Sequence, residues 1–280
     1  MDISVIVPCY NSQWYVRSCL KALLEQSYPR DRYQVLLVNN RSTDRSAEFA
    51  REFPTVVILE ASKQGSYAAR NVGVGAATGR ILAFTDSDCE VCPTWLEQIA
   101  AAMQHEDTAV VLGARRFARE TLLLSTLADY EMEKARYVFS QDDPSLYYGY
   151  TNNMAVRRGV YQRVGPFVEI SRGADVILVS RVLQAYGCDS VKFLPELLVR
   201  HMEIGRWFEW HRKLFLYGRG YQGYRHISRT RPLSYPIRLE VLRRAARRHR
   251  HGLVRTLLML AFGIVATVAY EVGRMCGRKA

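Results

Sequence analysis

Two aspartates two residues apart, Asp86 and Asp88, follow the apolar run Ile81–Phe84, and two cysteines, Cys89 and Cys92, follow them at a C-x-x-C spacing. At the frayed end of a strand, two carboxylates so spaced can converge on one ion. A hard cation such as Mg2+ or Mn2+ takes one or two protein carboxylates and fills its shell with water and substrate phosphates, so the pattern suits a metal-bound diphosphate. Read alone, the pair serves equally as loop aspartates, one of them capping the helix expected near Pro93. The cysteines do not specify zinc. Structural zinc needs four ligands, and the chain has no second C-x-x-C and no H-x-x-x-H. They read as small buried thiols near a helix start.

The elements that must hold these residues alternate. The β-branched run Ile3–Val7 and the apolar runs Tyr33–Val38, Val56–Leu59 and Ile81–Phe84 read as buried strands, with Ala109–Leu112 closing the set. Between them the sequence predicts a helix capped by Asn11 or Ser12 and running to about Gln26, one capped by Ser42-Thr43-Asp44, and one from Gly65 to near Gly79. Such alternation argues for a parallel sheet covered on both faces. Ligands then lie beyond the carboxyl ends of the strands. Three polar clusters fall at those ends: Pro8-Cys9-Tyr10-Asn11, Asn39-Asn40-Arg41-Ser42 and Asp86-Ser87-Asp88. After Gly113 the rhythm changes. A long helix is expected over Glu120–Phe139, a loop, strand and short helix over Tyr148–Gly165, a helix over Asp175–Tyr186, and two short strands at Val191–Leu194 and Leu197–His201.

With these residues placed, the chain resembles the family 2 glycosyltransferases of the GT-A fold, an α/β architecture with a Rossmann-like, mostly parallel sheet and flanking helices. "VIVPCYNSQWYVRSCLKALLEQSYP" is similar to the family's opening strand and helix, "LLVNNRSTDRS" to its V-[DN]-[DN]-x-S-x-D turn, and "QGSYAARNVGVGAATGRILAFTDSD" to its A-x-R-N-x-G segment running into Asp-x-Asp. "RGADVILVSRVLQAYG" resembles the segment that carries the catalytic base, and "LVRHMEIGRWFEWHRKLFLYGRG" resembles its late histidine and aromatic, basic stretch. The resemblance implies inverting transfer of a sugar from a nucleotide-diphosphate donor (UDP, GDP or dTDP type) to a hydroxyl of a saccharide or lipid-linked saccharide acceptor, with Mn2+ or Mg2+.

It further implies Asp175 as the base, Asp88 and His201 as metal ligands with Asp86 a third candidate, and Arg70, Asn71, Asp86 and Ser87 lining the donor pocket. Pro8, Tyr10, Asn39 and Asn40 match the nucleoside pocket. Two departures stand out. Both positions of the turn that usually carries an acid are asparagine, which can donate as well as accept, so the base of the nucleotide stays open. Ala174 stands where many members have Glu, leaving Asp175 alone, at a helix mouth whose dipole is expected to keep it ionised by about 0.3–1 kcal/mol.

Charge places a further function at the C-terminus. Of the formal net charge of +12, the stretch Arg225–Arg255 carries +9, from ten arginines and Glu240 alone. The uncharged run Thr256–Tyr270 follows, only ~22 Å long as a helix against a hydrocarbon core of ~30 Å. Arginines beside an apolar helix favour anionic lipid and the cytoplasmic side, so an anionic membrane surface rather than nucleic acid is the expected partner; Arg274, Arg278 and Lys279 argue against a clean span. The aromatic residues Trp207, Trp210, Tyr217, Tyr221 and Tyr224 read as core, or as a platform for sugar or interface. Six scattered cysteines and a Met1–Val7 run with no basic n-region predict reduced thiols and a cytosolic body.

The expected organisation is a donor-binding half over 1–115, an acceptor-binding half over 116–222, and a basic, membrane-associating segment over 223–280. Rival readings are a nucleotidyltransferase, whose Gly-rich basic signature "VPCYNSQ" lacks, and a non-catalytic membrane adaptor of transferase-like fold.

Overall fold

The structure, a computed structural model, describes residues 1–277; Arg278 and Lys279 lie outside the described residues. Eight strands among these form one sheet in the order β3-β2-β1-β4-β7-β6-β8-β5. The first four, β1 (Ile3–Cys9), β2 (Tyr33–Asn39), β3 (Val56–Glu60) and β4 (Ile81–Thr85), are parallel neighbours, as their apolar character requires. Every residue of β1 is buried. Its alternating side chains serve two cores: Ile3, Val5 and Val7 pack with Val16, Leu20, Trp95 and Ile99 on one face, and Ile6 packs with Tyr67, Leu178 and Val182 on the other.

The helices α1 (Val16–Leu24), α2 (Ser46–Ala50), α3 (Ser66–Ala76) and α4 (Trp95–Ala102) connect this half. α1 begins four residues later than the expected Ser12 cap. The Ser12 side chain is committed elsewhere, and Asn11 sits in the left-handed region at φ 48°, so the chain turns before it coils. Asp44 does cap locally: its Oδ1 accepts from the Ser46 amide at 2.9 Å.

The rest of the sheet departs from a parallel pattern. β7 (Asn153–Arg157) runs antiparallel to both β4 and β6 (Val110–Phe117). A short strand absent from the sequence reading, β5 (Cys89–Val91), pairs antiparallel with β8 (Val191–His201). β8 is one strand where two were expected. It tolerates Pro195 because its register with β6 slips at Gly113/Ala114. The Asn153 amide fills that slip, donating to Ala114 O and Leu197 O at 2.8 Å each. A Cβ on Gly113 would lie 2.2 Å from Leu197 O, so only glycine fits there.

α5 (Leu122–Val138), α6 (Arg158–Val164) and α7 (Ala174–Tyr186) complete the body, and α8 (Trp207–Ser228), α9 (Tyr235–Arg248) and α10 (Leu253–Cys276) form a helical arm. α10 is long and apolar enough to cross a membrane by length and composition, at ~36 Å. It is also two-faced. Met259, Phe262 and Gly273 are buried, while Leu253, Leu257, Leu260, Ile264, Val268 and Met275 are exposed along one stripe. α8 and α10 touch backbone to backbone: a Cβ on Gly218 would lie 2.0 Å from Tyr270 O, and one on Gly273 would lie 2.1 Å from Phe215 O. Replacing Gly218 with Leu should therefore force the two helices apart, at about 1–3 kcal/mol. The variant should melt earlier and lose α10 sooner to protease than the parent chain; an unchanged melting temperature and digestion pattern would show that the crossing is not close.

Candidate active site at the strand ends

The three polar clusters meet. The Ser12 amide donates to Ser46 Oγ at 2.7 Å, its hydroxyl pairs with Ser87 Oγ at 2.7 Å, and Asn11 Oδ1 accepts from the Thr43 amide at 2.9 Å. Asn40 Oδ1 accepts from the Gly65 amide at 2.9 Å, fixing the start of α3. These bonds tie the ends of β1, β2 and β4 into one floor. Above it opens a cavity of about 880 Å3 whose walls include Pro8, Tyr10, Asn40, Ser87 and, deeper, Arg70 and Asp86.

The cavity is also lined by Asp88, His201 and Asp175, so nine of the eleven residues singled out from the sequence share one space. Asn39 and Asn71 stand outside its wall. Asn71 is held by Phe167 O, the Phe167 amide and the Tyr161 hydroxyl, which makes it a pin for the loop after α6. Asn39 donates to Glu60 at 2.8 Å, which brings an acid beside a turn whose own two positions are amides.

Arg70, on α3, is 3% exposed and ion-paired to Asp86; it is a buried partner rather than a solvated helix residue. Asp88 and His201 meet because Cys89 is paired with His201 across β5 and β8, and the Met202 amide donates to Asp88 O at 2.8 Å. His201 Nδ1 lies 3.5 Å from Asp88 Oδ2 and is buried without a hydrogen-bond partner. His201 Nε2 lies 2.9 Å from Lys213 Nζ, and Lys213 also pairs with Glu203 at 2.8 Å.

Burial pushes the Asp88 carboxyl up to about 7, with Asp86 adding to the effect and Lys213 opposing it. Burial, reinforced by the positive charges of Lys213 and Arg115, drives His201 well below its ordinary range and keeps it neutral. Burial raises the Cys89 thiol far above its usual range, with Asp88 and Asp86 adding to it, so it stays protonated.

Asp175 is the second residue of α7, behind Gly173 at φ 90°. A Cβ on Gly173 would collide with the Tyr224 ring, and one on Gly149 would lie 2.5 Å from Asp175 O. Its Oδ1 accepts from the Val176 amide at 2.9 Å. The expectation that the helix end dominates its charge is corrected: burial raises its pKa, outweighing the Tyr67 hydroxyl, the Val176 amide and Arg70. Sequence reasoning missed Lys213, Glu203, Tyr67 and Ser12. Only Glu203 and Lys213 carried a signal, as charges two and twelve residues after His201 in "HMEIGRWFEWHRK". Trp210 and Tyr221 are buried, while Trp207 is half-exposed.

The model of glycosyl transferase family 2 matches residues 4–165, more than half of the chain. The chain belongs to that family. It is 32% identical to the glycosyltransferase AglE of Haloferax volcanii over 220 residues, 73% of this chain and 72% of AglE. YibD of Escherichia coli and EpsH of Bacillus subtilis, 35% and 33% identical, match over 39% of this chain and 32% of their own length. Among solved structures, the mannosyltransferase PcManGT of Pyrobaculum calidifontis, in complex with GDP-Man and Mn2+, superposes with a TM-score of 0.63 at 18% identity, over 96% of this chain and 86% of that one. S. aureus TarS 1–349 in complex with UDP gives 0.57 at 16% identity, over 98% and 90%. The fold is GT-A, and the chain is a glycosyltransferase.

An acid whose folded pKa lies above its ordinary 3.8 holds its proton more tightly when folded. Stability from such a group is therefore lost as pH rises from about 4 to 7. Without added metal, the parent chain should lose stability over that window relative to Asp88→Asn, which cannot charge. Thermal unfolding of both proteins from pH 4.5 to 8 checks this; parallel profiles would refute the raised carboxyl.

Proposed function

We propose that the chain is an inverting glycosyltransferase that moves a sugar from a nucleotide-diphosphate donor to an acceptor hydroxyl, with Asp175 as the base. The observation that carries this reading is that one cavity holds Asp86, Asp88 and His201 together with the partly buried carboxyl of Asp175. Inversion by direct displacement needs one carboxylate to take the hydroxyl proton as the acceptor oxygen attacks opposite the leaving diphosphate. Asp175, with its pKa raised by burial, is a stronger base than a solvated aspartate. Tyr67 and the Val176 amide orient it.

The donor set fits a divalent cation, Mn2+ or Mg2+. His201 offers a buried Nδ1 without a partner beside the Asp88 carboxylate, and ligand atoms of Asp88, Cys89 and His201 lie within 4.8 Å of one another. The protonated thiol of Cys89 leaves oxygen and nitrogen as ligands, with Asp86 a third candidate, which suits Mn2+. A bound cation would neutralise charge on the diphosphate. Holding it at Nδ1 would put the ring proton on Nε2, so Lys213 would give up its contact with that nitrogen and keep Glu203 as its partner. Lys213, raised above its usual range by Asp88 and Glu203 against the pull of burial, stays charged and faces the same leaving group. Arg70 fixes Asp86. Pro8, Tyr10 and Asn40 are assigned to the nucleoside of a UDP, GDP or dTDP donor, and Ser87 braces the floor. The GDP-Man and Mn2+ of the PcManGT complex and the UDP of the TarS complex support this assignment.

In this reading residues 1–115 serve the donor and 116–222 the acceptor, a saccharide or lipid-linked saccharide in surface polysaccharide or glycolipid synthesis. Residues 223–280 hold the chain to the cytoplasmic face of the membrane. The exposed apolar stripe of α10 supports attachment, and so do the exposed Arg243, Arg247 and Arg250, at about 1 kcal/mol per basic residue near anionic lipid. Asp175→Asn should cut transfer by roughly 100-fold or more while the protein still binds nucleotide; full transfer by the variant would reject the assigned base. Nucleotide with Mn2+ at ~100 times its Kd should stabilise the parent chain by about 2.7 kcal/mol. Asp88→Ala should abolish the part that depends on metal, as read by thermal unfolding with UDP, GDP and dTDP.

A further inference from the structure

Beyond Asp175 the cavity continues into a chamber with an unbalanced charge. Arg115 on β6 and Lys134 on α5 converge on the single carboxylate of Glu131: Lys134 Nζ lies 2.5 Å and Arg115 Nη2 lies 3.8 Å from Glu131 Oε2. Their side chains are only 17% and 20% exposed, and Glu131 is 11% exposed. Two cations thus share one acid. Arg238 of α9 adds a third positive charge to the same wall, bonded only to the neutral oxygens of Leu233 and Thr267 among the described residues. An uncompensated buried charge costs several kcal/mol. A chamber built this way is favourable only with an anion in it.

The neutral groups point the same way. Arg115 lies over the rings of Tyr150 and Trp210, at 4.4 and 5.5 Å, which fixes its guanidinium without neutralising it. Trp210 is 4% exposed, and its indole N–H is buried with no partner, an unmet donor on the cavity wall. The hydroxyls of Tyr130 and Tyr148, on the same wall, make no hydrogen bond among the described residues. Burial draws the Lys134 ammonium below its usual range in spite of Glu131, whereas Tyr150 and Glu131 raise the Arg115 guanidinium against its own burial, so Lys134 is the less well compensated of the two cations. The chamber adjoins the base: Tyr148 and Tyr150 flank Gly149, which packs on the Asp175 backbone. Its far wall is the inner face of α10, where Gly263 and Ala266 leave room beside Tyr270.

We propose that Arg115 and Lys134, with the donors of Trp210, Tyr130 and Tyr148, form an anion subsite that takes a phosphate ester carried by the acceptor, setting the acceptor hydroxyl against Asp175. The proposal rests on the glycosyltransferase reading above and deepens it. A phosphate ester has the charge and the acceptor oxygens to satisfy two cations and three neutral donors at once. It reaches the chamber either as a lipid phosphate from the α10 side or as a soluble phosphate ester.

The test uses the full chain in neutral detergent micelles and follows thermal unfolding with three probes: nucleotide with Mn2+, a short-chain polyprenyl phosphate beside the matching polyprenol, and glycerol 3-phosphate. Lys134→Met and the charge-keeping Lys134→Arg are compared with the parent. The expected result is a rise in melting temperature with the lipid phosphate and none with the alcohol. The apparent affinity should fall at least tenfold in Lys134→Met and recover in Lys134→Arg, with the nucleotide shift unchanged in both. A response to glycerol 3-phosphate alone supports the subsite and makes the acceptor soluble. A nucleotide shift with no response to either phosphate overturns the subsite and leaves the glycosyltransferase reading standing. Loss of the nucleotide shift in Lys134→Met would hand these cations to the donor diphosphate and also overturn the proposal. No nucleotide shift in the parent chain would reject the underlying reading itself. The parent arms decide between these outcomes even if Lys134→Met does not fold.

Discussion

Cys89 lies opposite His201 at the last pairing of the sheet, and the working geometry of the cavity hangs on that register. The pairing brings a carboxylate from the end of β4 to an imidazole from the end of β8 in a place where neither is well hydrated. Once they are there, the rest follows from electrostatics. The carboxyl is driven up, the imidazole is held neutral, and Lys213 is drawn in with Glu203 to balance the pair. A one-residue slip of β5 would turn Asp88 to the other face of the sheet and dissolve the arrangement.

Much of this was legible in the chain. The runs of β1 to β4 are mostly apolar, and such runs have one good destination, the buried centre of a parallel sheet. Their polar ends had to gather on one side, and they do. The sequence was silent where pairing depends on partners far along the chain. β5 is three residues long and has no periodicity to read. Pro195 made β8 look like two strands, because the compensating slip lies in β6 and the amide that fills it comes from β7.

The same division holds for the site. Asp86, Asp88, Arg70 and Asp175 were identifiable because their spacing to strand and helix ends is local. Asn71 sits in an equally telling segment, yet its side chain is spent on Phe167 and Tyr161, a contact that no local spacing reveals. The charge of Asp175 was misjudged for a related reason. A helix terminus contributes tenths of a kcal/mol, and burial by the Tyr67, Gly149 and Tyr224 segments, all distant in sequence, outweighs it.

α8 runs directly from the cavity to the crossing with α10. Lys213 projects into the cavity, and little more than a turn further on Gly218 is in backbone contact with α10. Helices in such contact cannot glide over each other on flexible side chains, and α8 is unbroken between the two points. It acts as a lever whose short end is the Lys213 ammonium. A displacement of α10 would therefore turn the cation beside Asp88 and His201. In mechanical terms, whatever grips α10 becomes an input to the charge balance of the cavity.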